Sequence, residues 1–209
     1  MSTETTPRAF AQPAPHRVIR NFLGSDLIGQ LLAHVDARQD MFKPTRISNS
    51  RLDPVVRVSS FMRDLGDLRA ELEARFLAIL DPMKAELRLS SIDLGGMEME
   101  IVAHGDGAFY RRHIDTATGA ADQKTDRALT SVFYFHAEPK KYSGGALRLY
   151  SILPPEAGGG YLDIMPEQDM LLLFPSWAPH EVLPVSCPSG AFMDQRFAIN
   201  CWYRSRRKS

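Results

Sequence analysis

Arg196-Phe197-Ala198-Ile199-Asn200-Cys201-Trp202-Tyr203, near the end of the chain, alternates between two kinds of side chain. Successive residues of a β-strand point to opposite faces, so Arg196, Ala198, Asn200 and Trp202 share one face and Phe197, Ile199, Cys201 and Tyr203 share the other. The second set is the more apolar. If it packs beneath outer helices, the Arg196 guanidinium turns inward, where a charge without an anion costs several kcal/mol. Arg196 therefore needs a partner.

Eight further β-type runs lie upstream of this one (Gln195 to Tyr203), separated by Gly, Pro and Asp clusters. They are Ser91 to Leu94, Glu98 to His104, Ala108 to Ile114, Leu129 to His136, Ala146 to Tyr150, Gly160 to Ile164, Met170 to Phe174 and His180 to Val185. Nine short strands exceed what one open layer usually holds, and no helical segment separates them, which excludes a parallel doubly wound sheet. A mainly β fold remains: an antiparallel sandwich, jelly roll or barrel with helices packed outside.

Those helices come first in the chain. Leu27, Ile28, Leu31, Leu32 and Val35 recur at helical spacing over Ser25 to Arg38 behind a Ser25 or Asp26 N-cap. Leu65, Leu68, Leu72, Phe76, Ile79 and Leu80 mark a second helix over Asp64 to Leu80, before Pro82 interrupts the ladder or opens another helical turn. Between them, Gln39 to Ser60 loses periodicity and carries Lys43, Arg46, Arg51 and Arg57, as an exposed loop or hairpin would.

The 209 residues suit one domain, here 17–204 with its core at about 98–203. A disordered lead-in (1–16) precedes it and a solvated basic tail (205–209) follows. Twenty-five Lys and Arg balance 25 Asp and Glu, so no basic field favours nucleic acid. Met170 to Phe174, the longest clean apolar run, is far below the ~20 residues that span a bilayer. With only Cys187 and Cys201, no disulfide framework is expected, which suits a reducing, cytoplasmic setting.

The chemistry concentrates in Tyr110-Arg111-Arg112-His113-Ile114-Asp115. His113 and Asp115, two apart on a strand, reach one metal ion together, and His180, 67 residues later in Trp177-Ala178-Pro179-His180-Glu181-Val182, supplies a second imidazole. Two histidines and a carboxylate form the facial triad of non-haem Fe(II), which leaves positions open for an organic ligand and O₂. Such a site next to an inward Arg196 matches a dicarboxylate dianion such as 2-oxoglutarate, which the planar guanidinium fork grips at its far end. Taken singly, His113 also reads as a surface histidine and Arg196 as a surface ion pair.

Five patches in order resemble a known family: Tyr110 to Asp115, Arg127 to Tyr134, Ser143-Gly144-Gly145-Ala146-Leu147-Arg148, Pro179 to Val182, and Arg196 to Tyr203. From about Glu98 to Tyr203 the chain looks like the catalytic core of 2-oxoglutarate and Fe(II)-dependent dioxygenases, in particular prolyl 4-hydroxylase-like enzymes of the hypoxia-sensor (SM-20/EGL-9) type. The resemblance implies a double-stranded β-helix, with His113, Asp115 and His180 as iron ligands. It implies that Arg196 clamps the distal carboxylate of 2-oxoglutarate and that Tyr134, inward with Thr130 and Val132, donates its hydroxyl to the same group. Trp202 is expected as a pocket wall. Fe(II), 2-oxoglutarate and O₂ follow as cofactors, with ascorbate as an auxiliary reductant.

The chain also departs from that pattern. Arg196 lies sixteen residues after His180, several more than in the sensor enzymes, with Ser186 to Asp194 reading as an enlarged turn. Ala103-His104-Gly105 stands where those enzymes place a tyrosine near the cosubstrate, and His104 reads as an exposed turn histidine. The expected reaction is hydroxylation of an unactivated C–H bond, in a prolyl residue of a protein or peptide, with release of succinate and CO₂. A free amino acid or small metabolite as substrate is the alternative, and a non-oxidative zinc jelly roll or a catalytically silent binding domain the rival. Arg196 and Tyr134 speak against zinc. Nucleic-acid and membrane partners are not expected.

Overall fold

The computed structural model describes residues 10–45, 53–89, 91–116 and 124–207. Its strands in chain order are β1 (Arg17–Arg20), β2 (Lys43–Pro44), β3 (Arg57–Val58), β4 (Ser60–Met62), β5 (Leu94–His104), β6 (Phe109–His113), β7 (Thr125–Phe135), β8 (Ser143–Gly144), β9 (Leu147–Tyr150), β10 (Tyr161–Ile164), β11 (Met170–Pro175), β12 (His180–Val182), β13 (Val185–Ser186) and β14 (Arg196–Arg206). The helices are α1 (Ser25–Asp36), α2 (Arg69–Ala78) and α3 (Leu80–Glu86). A seven-stranded sheet of order β1-β11-β7-β14-β5-β4-β2 is accompanied by a five-stranded sheet of order β10-β9-β12-β6-β3, and every described pairing is antiparallel. This is a jelly-roll arrangement, one of the three antiparallel architectures that the strand pattern left open and the one that the family resemblance implied.

The alternation of β14 decides which face does what. Phe197, Ile199, Cys201 and Tyr203 join Ile101, Phe133, Leu171 and Leu173 in one core with Leu27, Leu31, Val35, Leu72 and Phe76 of α1 and α2. Each fully buried aliphatic or aromatic side chain there contributes about 1.5–3 kcal/mol of apolar burial. Tyr203 keeps its polar end satisfied by donating its hydroxyl to the Phe76 carbonyl at 2.7 Å. On the opposite face Val132, Tyr134, Leu172, Phe174 and Ala198 pack with Leu147 and Leu149 of the smaller sheet.

Several local expectations are corrected. Ser91 to Leu94 is not a separate strand; β5 begins at Leu94 and runs on to His104. The first helix has Gly24, not Ser25 or Asp26, at its N-cap. Asp169 instead accepts the Leu23 and Gly24 N–H groups at 2.7 and 2.9 Å, a carboxylate from a distant loop that no local spacing reveals. The second helical segment divides into α2 and α3, with Pro82 in the first turn of α3, where its missing N–H has no intrahelical acceptor.

Part of the expected lead-in is ordered. The Ala14 N–H donates to Tyr150, Gly160 and Leu153 donate to Ala11 and Phe10, and Ala14 is buried; residues 1–9 lie outside the described residues. The basic tail is partly held as well, because β14 extends to Arg206, which pairs with Asp93, while Arg207 pairs with Asp126. Within Gln39 to Ser60 the described residues form β2, β3 and the start of β4, and Arg46 and Arg51 lie outside the described residues. Both cysteines are buried and free. No helix among the described residues is long and apolar enough to cross a membrane.

Candidate active site

A cavity of about 970 Å³ is lined from both sheets and from the β2–β4 segment. His113 ends β6, His180 begins β12, and the two face each other as cross-strand partners. Asp115 follows two residues beyond β6, where its N–H donates to the Ser176 carbonyl at 2.9 Å. His113 Nε2 and His180 Nε2 each lie 3.7 Å from an Asp115 oxygen, and one ligand atom from each of the three residues falls within 4.8 Å of the others. The three can hold one metal ion.

Hydrogen bonding prepares the imidazoles for that role. His113 Nδ1 lies 2.8 Å from the Arg111 carbonyl and His180 Nδ1 2.9 Å from the Ala178 carbonyl. A carbonyl only accepts, so each Nδ1 carries a proton and Nε2 is left as the atom that can meet a metal. Burial, and then the neighbouring His180, push the His113 pKa down to about 3, which keeps that ring neutral. Burial opposes ionisation of Asp115, while the hydrogen bond from the Thr130 hydroxyl favours its carboxylate form, and the net shift is downward from the usual carboxylate value. Thr130 donates to Asp115 Oδ2 at 2.8 Å, and Ser176 Oγ lies 2.8 Å from the same hydroxyl.

Deeper in, Arg196 is 1% exposed and opposite His104 in the β14–β5 register. His104 is buried, not an exposed turn residue, because β5 continues through it and sets it on the inward face with Glu98, Glu100 and Val102. Arg196 Nη1 lies 3.1 Å from His104 Nδ1. Arginine only donates, so His104 accepts and is the Nε2–H tautomer; burial, then the Arg196 charge, hold its pKa well below the usual histidine value. The Arg196 guanidinium also sits 4.8 Å from the centre of the buried Tyr134 ring. Tyr134 Oη and Arg196 Nε are both buried with no hydrogen-bond partner. Two buried donors with no partner among the described residues are free to take an acceptor such as a bound carboxylate.

The glycines of Ser143-Gly144-Gly145 acquire a reason here. Gly145 has φ +68°, and a Cβ on it would lie 2.7 Å from Arg196 Cδ and 2.8 Å from Val185 Cγ2. The stretch from Ser186 to Asp194 is more than a turn: Ser186 pairs in β13, the Cys187 N–H donates to Asp106 Oδ1 at 2.7 Å, and Phe192 stacks edge-on with Phe42 at 5.0 Å. Its length leaves Arg196 inside. Trp202 lines the cavity, as expected, beneath the Arg127 guanidinium at 3.7 Å. Sequence reasoning gave no role to Gly145 or Ser176, set Arg57 in an exposed loop or hairpin and read His104 as an exposed turn residue, whereas Arg57 lines the cavity and His104 is buried. Only the period-2 pattern of β5 offered a signal, and only for His104.

Comparison with known proteins follows the same lines. The sequence profile of the 2OG-Fe(II) oxygenase superfamily matches residues 99–204, half of the chain. The chain belongs to this superfamily. All five patches quoted above fall within or across the match. An uncharacterized PKHD-type hydroxylase of Synechocystis sp. is 30% identical over 203 residues, covering 93% of this chain, and this chain spans 64% of that relative's length. Among solved structures, a prolyl-4-hydroxylase of Pseudomonas putida superposes with a TM-score of 0.67 at 24% identity, over 93% of this chain and 94% of the other. A prolyl hydroxylase of Trichoplax adhaerens, in complex with a hypoxia inducible factor oxygen degradation domain peptide fragment, gives 0.66 at 26% identity, over 91% and 83%. As an oxygenase of this superfamily the chain is expected to use Fe(II), 2-oxoglutarate and O₂, and its donor set fits them: two imidazoles and a carboxylate for iron, two orphaned donors for a carboxylate.

Proposed function

We propose that this chain is a 2-oxoglutarate- and O₂-dependent Fe(II) dioxygenase that hydroxylates an unactivated C–H bond, with a prolyl residue of a protein or peptide as the substrate. The observation that carries the reading is the pairing of the His113, Asp115 and His180 cluster with Arg196 and Tyr134, whose orphaned donors face the same interior. In this reading the first three residues hold the iron. Arg196 and Tyr134 take the distal carboxylate of 2-oxoglutarate. Bound iron supplies the coupling of 2-oxoglutarate decarboxylation to C–H oxidation, in which one oxygen atom of O₂ enters succinate and the other enters the product, with loss of CO₂.

The chain's own residues do the rest. The Arg111 and Ala178 carbonyls fix the imidazole tautomers, and Thr130 orients Asp115 so that an oxygen points at the metal position. Asp115 itself favours hydroxylation, because related halogenases carry a small residue in its place. Val132, Leu147 and Trp202 line the chamber and limit water near the reacting carbon. A prolyl substrate is supported by the likeness to the Trichoplax hydroxylase with its bound peptide. The hypoxia-sensor subtype is a finer reading of that likeness, and the two free thiols support a reducing, cytoplasmic setting.

The test is succinate formation from 2-oxoglutarate under air with Fe(II), with ascorbate as auxiliary reductant, for the parent protein, His113→Ala and Arg196→Ala. Proline-containing peptides serve as substrates, with oxygen gain read by mass. Activity in the parent and loss in both variants is the expected result. Turnover that survives either substitution removes that residue from the mechanism.

A further inference from the structure

The lining of the cavity contains a cation that neither metal nor cosubstrate uses. Arg57, at the start of β3, stands beside Tyr110 of β6 in the strand register. Its guanidinium lies 4.5 Å from the Tyr110 ring centre and donates through Nε to Ser59 Oγ at 3.0 Å. No carboxylate among the described residues lies within ion-pair distance of it. Glu100, the buried carboxylate whose charge acts most on it, lies beyond that distance and is approached at 3.6 Å by the largely exposed Arg63. Arg127 is taken by Glu98 at 2.6 Å.

Counting charges over the lining sharpens the point. Fe(II) with Asp115 and Arg196 is neutralised by the 2-oxoglutarate dianion, Arg63 pairs with Glu100, and Glu98 is shared between Arg127 and Arg204, so the surroundings of the cavity keep an excess of positive charge. Arg57 inside the chamber and Lys43 at its rim belong to that excess. A partly buried guanidinium whose fork meets no anion is a site prepared for one.

Distance says where on the substrate that anion belongs. The Tyr110 ring stacks on His113 with centroids 3.5 Å apart, so the two steps together put Arg57 Cζ no more than 8.0 Å from the ring of a candidate iron ligand. Consecutive Cα atoms are about 3.8 Å apart, so a carboxylate that reaches Arg57 belongs to the residue being hydroxylated or to its neighbour in the chain.

We propose that the substrate carries a carboxylate on the hydroxylated residue or on its neighbour in the chain, and that Arg57 is the residue that selects it. This rests on the reading of the cavity as the substrate chamber of a prolyl-type oxygenase and narrows that reading. The carboxylate has two sources, a free α-carboxylate or an acidic side chain beside the target residue.

The experiment compares matched ligands that differ in charge alone. N-acetyl-L-proline is set against N-acetyl-L-prolinamide, and a proline peptide with Asp beside the proline against the same peptide with Asn. Binding to the protein loaded with Mn(II) and 2-oxoglutarate is read from relaxation of the ligand protons. At least one anionic member is expected to bind about tenfold or more tightly than its neutral match, and the pair in which this occurs identifies the source. The gap should close in Arg57→Gln and be largely restored in Arg57→Lys. Equal affinities within both pairs, absence of binding included, overturn the inference, as does a gap that persists in Arg57→Gln. The prolyl reading is judged separately: if no proline-bearing ligand of either charge gains oxygen with Fe(II) and O₂, that reading falls, whatever the charge comparison shows.

Discussion

Replacing Arg196 by Met should weaken cosubstrate binding without weakening the empty protein. Arg196 is 1% exposed, its Nε has no partner, and its Nη1 meets only the neutral His104. Met keeps the apolar stem and removes a buried charge that no anion among the described residues compensates, so the unliganded variant should be as stable as the parent or more so. Hydrogen bonds to charged groups contribute about 1.5–3 kcal/mol each, so loss of a two-pronged clamp should cost roughly 10²- to 10⁴-fold in 2-oxoglutarate affinity. At a concentration of 100 times the dissociation constant a ligand stabilises by about 2.7 kcal/mol, whereas after a hundredfold loss the same concentration gives only about 0.4 kcal/mol. With about 2–4 °C per kcal/mol for a protein of this size, 2-oxoglutarate should raise the melting temperature by about 5–11 °C in the parent and about 1–2 °C in the variant. Thermal melts with Mn(II), with and without 2-oxoglutarate, measure both. An equal shift in the two proteins would refute the clamp, and a much less stable unliganded variant would refute the account of an uncompensated charge.

Three other outcomes are expected. Gly145→Ala combines a left-handed backbone with a Cβ 2.7 Å from Arg196 Cδ, so it should displace the guanidinium and lower 2-oxoglutarate affinity at least tenfold while metal binding is retained, as calorimetric titration with each would show. Thr130→Val removes the donor to Asp115 and should weaken Mn(II) binding about 10- to 100-fold, followed by electron paramagnetic resonance. In the metal-free protein His104 stays neutral below its ordinary pKa while the unfolded chain takes up a proton near pH 6.5, so stability should fall as pH drops below about 6.5. His104→Gln should remove one proton's share of that slope, about 1.4 kcal/mol per pH unit, in urea midpoints between pH 7 and 5; an unchanged slope would show that His104 is protonated in the folded state.

The linear sequence was enough for the fold class and the metal cluster. A period of two in β14 and β5 needs no tertiary information, because alternation along a strand is built into the backbone, and it already separates the helix-facing Phe197, Ile199, Cys201 and Tyr203 from the inward Arg196. His113 and Asp115 are near neighbours whose shared face follows from the same rule. Tertiary structure decided what depends on residues remote in the chain. Asp169 ends up holding the entrance of α1, Ser176 supports Thr130, Gly145 makes room for Arg196, and His104 lies buried against Arg196 across ninety-two positions. The absence, among the described residues, of a carboxylate within ion-pair distance of Arg57 is of the same kind. Whether a charge has a partner is a property of the space around it, and strand register and the approach of two sheets set that space, while composition and local periodicity carry no record of it.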